Sequence, residues 1–146
     1  MLIRPLLSAD AEAVDGLLHQ LGYRQDGAAT AGRIQAWSDD PSSAAFAADL
    51  DGEVLGLIAV HVCPFFERPG SWGRIVALVV AEGTRGQGVG GRLVEAAEAF
   101  AADRGCVRME VTSSDHREAA HEFYMRRGYK VQTGRSTRFL RELDAH

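Results

Sequence analysis

Ile75-Val76-Ala77-Leu78-Val79-Val80-Ala81 is followed, after Glu82-Gly83-Thr84, by Arg85-Gly86-Gln87-Gly88-Val89-Gly90-Gly91, and then by an amphipathic stretch over residues 92–102. Strand, glycine loop and helix in that order make an anion site. The first N–H groups of a helix have no acceptor within it, and its dipole is positive at that end. Four glycines within six positions remove the Cβ atoms that would keep a phosphate from those donors. Arg85 adds a guanidinium fork at the rim. A plain turn needs one or two glycines. Residues 75–81 are apolar without a break, which predicts a strand buried on both faces.

Outward from this stretch, the 146 residues and 46% apolar content predict one domain, residues 1–146, with a real core. No apolar run approaches the ~20 residues of a membrane span. The first residues lack the pattern of a signal peptide, and the two cysteines, Cys63 and Cys106, imply no disulfide framework; the expectation is a cytoplasmic protein with both thiols buried as small apolar groups. A net charge of −4 argues against nucleic acid as a partner. Residues 1–75 hold 5 Arg against 10 Asp and Glu, while the rest holds 11 Arg and Lys against 10. An anionic ligand at the second half and a cationic one facing the first fit this split.

Strands are predicted at residues 2–6, 45–50, 53–63, 72–81, 107–112, 129–133 and 137–143. Asp51-Gly52 favours a two-residue hairpin turn, and Gly134 marks a second one. Helices are predicted from a Ser8 cap to about residue 20, over 28–38, from Val89 to Gly105, and from a Ser114 or Asp115 cap to Gly128. The order β-α-α-β-β-β-α-β-α-β-β describes an α/β fold around a mixed sheet.

Gly86-x-Gly88-x-x-Gly91 also fits a dinucleotide fingerprint, with Glu110 where a ribose-binding acid belongs. Three features oppose it. Four residues separate strand and first glycine, 36 residues after Glu110 leave no room for further β-α units, and several strands precede the loop.

Leu78-x-Val80 before Arg85-x-x-Gly88-x-Gly90, then Ala120-x-x-Phe123-Tyr124-x-x-x-Gly128-Tyr129 one helix and one strand later, resembles the GNAT superfamily of N-acetyltransferases over nearly the whole chain. The resemblance implies a mostly antiparallel central sheet of about seven strands with helices on both faces, splayed between the fourth and fifth strands. It implies acetyl-CoA as co-substrate, no metal, and a small-molecule amine acceptor; homodimers are common in the superfamily. Leu78, Val79 and Val80 would pair through their backbone with the pantetheine arm. Arg85, Gly86, Gln87, Gly88, Val89, Gly90 and Gly91 would hold the diphosphate. Tyr124 would protonate the leaving thiolate, a role suited to a phenol that stays protonated near neutral pH. The Val80 N–H matches the family's donor to the oxyanion.

The chain departs from the family at three positions. Glu82 stands where Pro is frequent. Arg117 stands where many members have Asn, and a phosphate contact is expected of it instead. Val76 replaces a frequent carboxylate, which leaves the base among Glu110, Glu67, Glu82 and His61; Glu110, on the strand lining the splay, ranks first. His116 and His121, five apart, do not form the i, i+4 pair of a helical zinc site. The acceptor is expected near residues 24–40 and 61–72, where Asp26, Asp39, Asp40 and Glu67, with Trp37, Phe65, Phe66 and Trp72, suit a small cationic amine. A non-catalytic acyl-CoA sensor is the alternative from another class.

Overall fold

The computed structural model describes residues 1–23, 26–84, 87–113 and 118–143. The chain divides into two compact units, Met1–Thr112 and Ser113–His146.

In the first unit five strands form one sheet in chain order: β1 (Leu2–Pro5), β2 (Ser43–Leu50), β3 (Glu53–Pro64), β4 (Ser71–Val80) and β5 (Cys106–Val111). The first four are antiparallel, and β5 runs parallel to β4. The β2–β3 hairpin turns as its Asp-Gly sequence requires, with positive φ at both Asp51 (52°) and Gly52 (90°). The parallel step needs a crossover, which the helix α3 (Val89–Asp103) supplies. Helices α1 (Ala11–His19) and α2 (Gly27–Asp39) precede β2.

The two faces of the sheet have different covers. Leu6, Val14, Leu17 and Ile34 join Ala47, Leu57 and Val79 in one buried cluster, which fixes α1 and α2 on that face. Burial of one such aliphatic side chain contributes about 1.5–3 kcal/mol. Val89, Leu93, Val94, Ala97 and Ala101 are the buried stripe of α3. That helix approaches closely because Gly56 lies under its first turn. A Cβ at Gly56 would stand 2.9 Å from the Val79 carbonyl, 3.1 Å from Leu93 and 3.2 Å from Val89. Gly73 does the same beneath the last turn, where a Cβ would meet the Met109 sulfur at 2.6 Å and Ala101 at 3.0 Å.

Several expectations need correction. The start of the first helix is set by Asp10, not Ser8. The Asp10 carboxylate accepts the Leu7 N–H at 2.8 Å and both terminal nitrogens of Arg4, while the Ser8 hydroxyl reaches Gln35. The helix ends at His19, and Leu21, just past it, is exposed. The apolar run of β4 is not buried on both faces: Val76 is 45% exposed. The sheet has five strands among the described residues, not seven. Among the described residues, 129–133 and 137–143 form no ladder; an isolated bridge joins Thr133 to Ser136 around a turn at Gly134 (φ 86°). A lone two-stranded ribbon has little stability, and Phe139, Leu140 and Leu143 stay exposed, so no apolar face forms to hold one.

The second unit contains α4 (Glu118–Arg126). Gly128 (φ 91°) ends it in a Schellman motif: the Tyr129 N–H bonds the Tyr124 carbonyl at 3.0 Å and the Gly128 N–H bonds that of Met125 at 3.1 Å.

Candidate active site

Strand β4 is unusual on its β5 side. The pairing with β5 runs from Ser71↔Cys106 to Ile75↔Val111 and stops there. On its other side β4 continues against β3 as far as Gly56↔Val80. Residues 76–80 therefore carry a backbone edge that β5 does not use. The change comes at a bulge. Ala59 pairs with Ala77 and Val60 with Ile75, so Val76 is one extra residue in β4. An extra residue bends the strand and raises its twist, which separates it from a neighbour. It also explains the exposure of Val76.

The backbone beyond the bulge is oriented. The Ala81 N–H bonds the Leu55 carbonyl at 2.8 Å, and Val79 turns its carbonyl toward Gly56. Alternate residues of an antiparallel strand face opposite sides. Leu78 and Val80 thus direct their N–H and C=O groups away from β3, toward the unpaired edge.

The chain leaves β4 through a turn. The Thr84 N–H and hydroxyl both bond the Ala81 carbonyl, at 3.2 and 2.7 Å, with Gly83 at φ 82°. Gln87 follows, and Gly88 caps α3 at φ 78°. Among the described residues, no atom beyond its own chain neighbours and helix backbone lies within 4 Å of where a Gly88 Cβ would be. Glycine is needed here for its left-handed backbone, not for space. The first helical bond is from the Arg92 N–H to the Gly88 carbonyl at 3.1 Å, so Val89, Gly90 and Gly91 are the positions whose N–H groups the helix cannot satisfy. The Val89 side chain is buried beneath Gly56, which leaves only its backbone for a ligand. Arg85, Gly86, Arg117 and the Ser114 or Asp115 cap lie outside the described residues.

A group of polar side chains lies beside the point where the sheet parts, on the face opposite α3. Arg74 reaches Thr112 at 3.4 Å and is the register partner of Glu110. The Glu110 carboxylate, ranked first as base, is held by Arg108 at 3.0 Å. Arg108 also lies 5.1 Å from the centre of the Phe65 ring, and Arg68 lies 4.0 Å from it. Phe65 thus already carries two cations of the protein itself. Phe66 is fully exposed.

The expected acidic set is dispersed. Asp26 caps α2 by accepting the Ala28 N–H at 3.1 Å, and Asp39 accepts from Gln35 at 2.9 Å. Asp40 stands apart from these. It accepts the Ser42 N–H at 2.9 Å and the Ser43 hydroxyl at 3.0 Å. These bonds, then the nearby His61, hold its carboxyl below the ordinary carboxylate range. The Ser43 oxygen lies 2.9 Å from His61 Nδ1, and the His61 ring is 6.3 Å from that of Trp37. Trp37 is fixed by its own N–H to the Ala44 carbonyl at 2.9 Å. Cys63 and Cys106 are half-buried free thiols, and burial, then the proximity of Cys63, pushes the Cys106 thiol up.

In the second unit Tyr124 sits on α4 among aromatic rings, 5.2 Å from Phe123 edge-on and 5.7 Å from Tyr129. Among the described residues no group of three His, Cys, Asp or Glu side chains is placed to hold a metal ion, and no helix is long and apolar enough to cross a membrane.

Three of these features escaped sequence reasoning. The bulge at Val76 lies inside an unbroken apolar run and leaves no compositional mark. Gly56 and Gly73 were readable as strand glycines that mark close approach. The Asp40–Ser43–His61 chain joins positions 21 residues apart through the strand register alone.

The chain matches the acetyltransferase (GNAT) family over residues 12–129. It is 38% identical over 91 residues to the aminoalkylphosphonate N-acetyltransferase of Salmonella typhimurium (strain LT2); the match takes in 62% of this chain and 58% of that protein. The chain thus spans little over half the length of that relative. It is 30% identical over 141 residues to the uncharacterized N-acetyltransferase YhfO of Bacillus subtilis (strain 168), covering 92% of this chain and 93% of that one. Its fold is similar to that of the aminoglycoside N-acetyltransferase AAC(6')-Iy solved in complex with CoA, with a TM-score of 0.79, 18% identity, and 97% and 99% of the two chains covered.

Proposed function

The chain belongs to the acetyltransferase (GNAT) family, and from that premise we propose that it moves the acetyl group of acetyl-CoA to a small primary amine by direct attack in a ternary complex. The unpaired edge of β4 running into the glycine-capped start of α3 carries this reading. Backbone groups of Leu78 and Val80 directed away from β3 suit the amides of a pantetheine arm, added as one more strand. The N–H groups of Val89, Gly90 and Gly91 suit a diphosphate at the positive end of α3, with Gln87 and Gly88 shaping the approach and Arg85, Gly86 and Arg117 adding contacts. Charge-assisted bonds of this kind contribute on the order of 1.5–3 kcal/mol each. The family match runs through residues of both compact units, which supports reading the chain as one acetyltransferase domain in sequence.

An arm that enters from the loop passes Val80 first and ends where the sheet closes at Ile75. The thioester then lies deep in the split, and the oxyanion falls to the Leu78 N–H rather than that of Val80. Tyr124 gives its phenolic proton to the departing thiolate.

The acceptor is small and presents an ammonium, which the acidic first half of the chain favours. Arg74 and Arg108 on the same sheet face favour an anionic group at its other end. The relative named for aminoalkylphosphonates supports such an acceptor.

Thiol release from acetyl-CoA, measured with a panel of an aminoalkylphosphonate, an amino acid, an amino sugar and a polyamine, tests the reading. Amine-dependent release that is fastest with an amine bearing an acidic group is expected. Coenzyme A binding without release for any amine contradicts it and leaves a sensor.

A further inference from the structure

We propose that His61, positioned by Asp40 and Ser43, is the base that takes the ammonium proton of the acceptor. This rests on the acetyltransferase reading above and supplies the group that the missing carboxylate at Val76 leaves unfilled.

The hydrogen bonds set the tautomer. A carboxylate only accepts, so the single Ser43 hydroxyl proton goes to Asp40 at 3.0 Å. The Ser43 oxygen is then an acceptor toward His61, and the ring donates its Nδ1–H across 2.9 Å. With Nδ1 protonated, the lone pair is on Nε2, the form in which imidazole accepts a proton. Trp37 at 6.3 Å flanks the ring and is itself held by Ala44. When His61 becomes cationic, the Asp40 carboxylate stabilises it through the serine.

The strand register gives the location. His61 pairs with Arg74, next to the Val60↔Ile75 pair at which β5 leaves β4. With strands about 4.8 Å apart and a rise of about 3.3 Å per residue, the His61 Cα is roughly 8 Å from the bulge at Val76. Glu110, the rival on β5, is committed to Arg108 at 3.0 Å. The charged and titratable groups facing His61 are Asp40 from the turn after α2 and Arg74 from β4, while α2 presents Trp37 and β2 presents Ser43.

The step balances. Nε2 takes one proton from the ammonium, which frees the nitrogen lone pair. That pair forms the C–N bond as the carbonyl pair moves onto oxygen. The oxygen pair returns, the C–S bond breaks, and the thiolate takes a proton from Tyr124. The new amide nitrogen sheds its extra proton, which restores the phenol, and His61 releases its own proton to water.

The test is the pH profile of kcat with the best acceptor, paired with titration of coenzyme A into each variant. Wild type is expected to show an ascending limb as the base gives up its proton. His61→Gln is expected to lower kcat by about 10²-fold, to lose that limb, and to keep the affinity for coenzyme A. Added imidazole should restore part of the rate. Ser43→Ala should lower kcat by about tenfold and displace the limb with KM unchanged, and Ser43→Thr should restore both. A His61→Gln enzyme that keeps the wild-type limb, or that loses coenzyme A affinity along with turnover, overturns the proposal. A limb that survives in His61→Gln and disappears in Glu110→Gln assigns the base to Glu110 and also overturns it. If wild type binds coenzyme A and acetylates no amine, the acetyltransferase reading itself has failed.

Discussion

The stretch from Ile75 to Gly91 and the stretch from Glu118 to Leu143 carry equally clear motifs, yet they are held in different ways. In the first, each local signal is tied to something distant. Gly56 on β3 sets the height of α3, the Val76 bulge ends the β5 ladder, and the Gly88 cap follows a turn whose Glu82 N–H bonds Gln20 at the end of α1. The second, taken by itself, shows local order. A helix closes in its own Schellman motif, the Tyr124 ring meets those of Phe123 edge-on and Tyr129 at a tilt, and the chain runs on with Phe139 90% and Leu140 71% exposed. A glycine motif backed by a buried framework makes a rigid cradle. A tyrosine motif on a short helix supplies a reactive group and little of the framework.

This contrast separates chemistry from binding. Tyr124→Phe is expected to lower kcat by about 10²-fold or more and to leave the affinity for coenzyme A within twofold, by stopped-flow and calorimetry. A parallel loss of affinity would merge the two regions and break the comparison.

A framework effect is expected on the other side. Gly56→Val forces a side chain between β3 and the first turn of α3, and overpacking of that kind costs about 1–3 kcal/mol. A fall in Tm of about 5–10 °C with weakened coenzyme A binding is expected. Phe139→Ser, exposed in the second region, should move Tm by less than about 2 °C. Equal shifts in both variants would remove the distinction.

An effect smaller than that of Gly56→Val concerns acid. Arg4 bridges Asp10 at 2.8 Å and Asp49 at 2.9 Å, and those bonds hold both carboxyls below their ordinary range. A folded carboxylate with a depressed pKa contributes stability that is full above the unfolded value, near ~3.9, and lost as the pH falls through the lower folded one. Arg4→Met should therefore lower Tm at pH 7 by about 2–5 °C and narrow its gap to wild type below about pH 3. A gap that widens in acid reverses the sign and rules out these ion pairs as its source.

The same contrast explains what could be read beforehand. The Asp51-Gly52 hairpin, the three helices that end at glycine and the strand–loop–helix order were legible, because turn, cap and periodicity act within a few residues. The last two strands were misread for a complementary reason. Residues 129–133 and 137–143 have strand composition and a turn between them, but a strand exists only with a partner edge. The splay lies between these cases. Its place followed from family resemblance, while its cause, one extra residue at Val76 inside an apolar run, comes from pairing with Ala59 and Val60 and has no local signature. The proposed base falls on the illegible side of this divide. Glu110 stood out in the sequence, whereas the link from Asp40 through Ser43 to His61 depends on which residues of β2 and β3 lie opposite one another.

The central claim is that the free edge of β4 and the amides at the start of α3 grip coenzyme A. Calorimetric titration of coenzyme A into the full chain and into its Gly88→Val variant tests it most directly. Micromolar affinity in wild type, weakened at least tenfold in a variant that stays folded with Tm lowered by the strain of a side chain at the left-handed position, is the expected result; no heat of binding in wild type, or equal affinity in the two proteins, contradicts it.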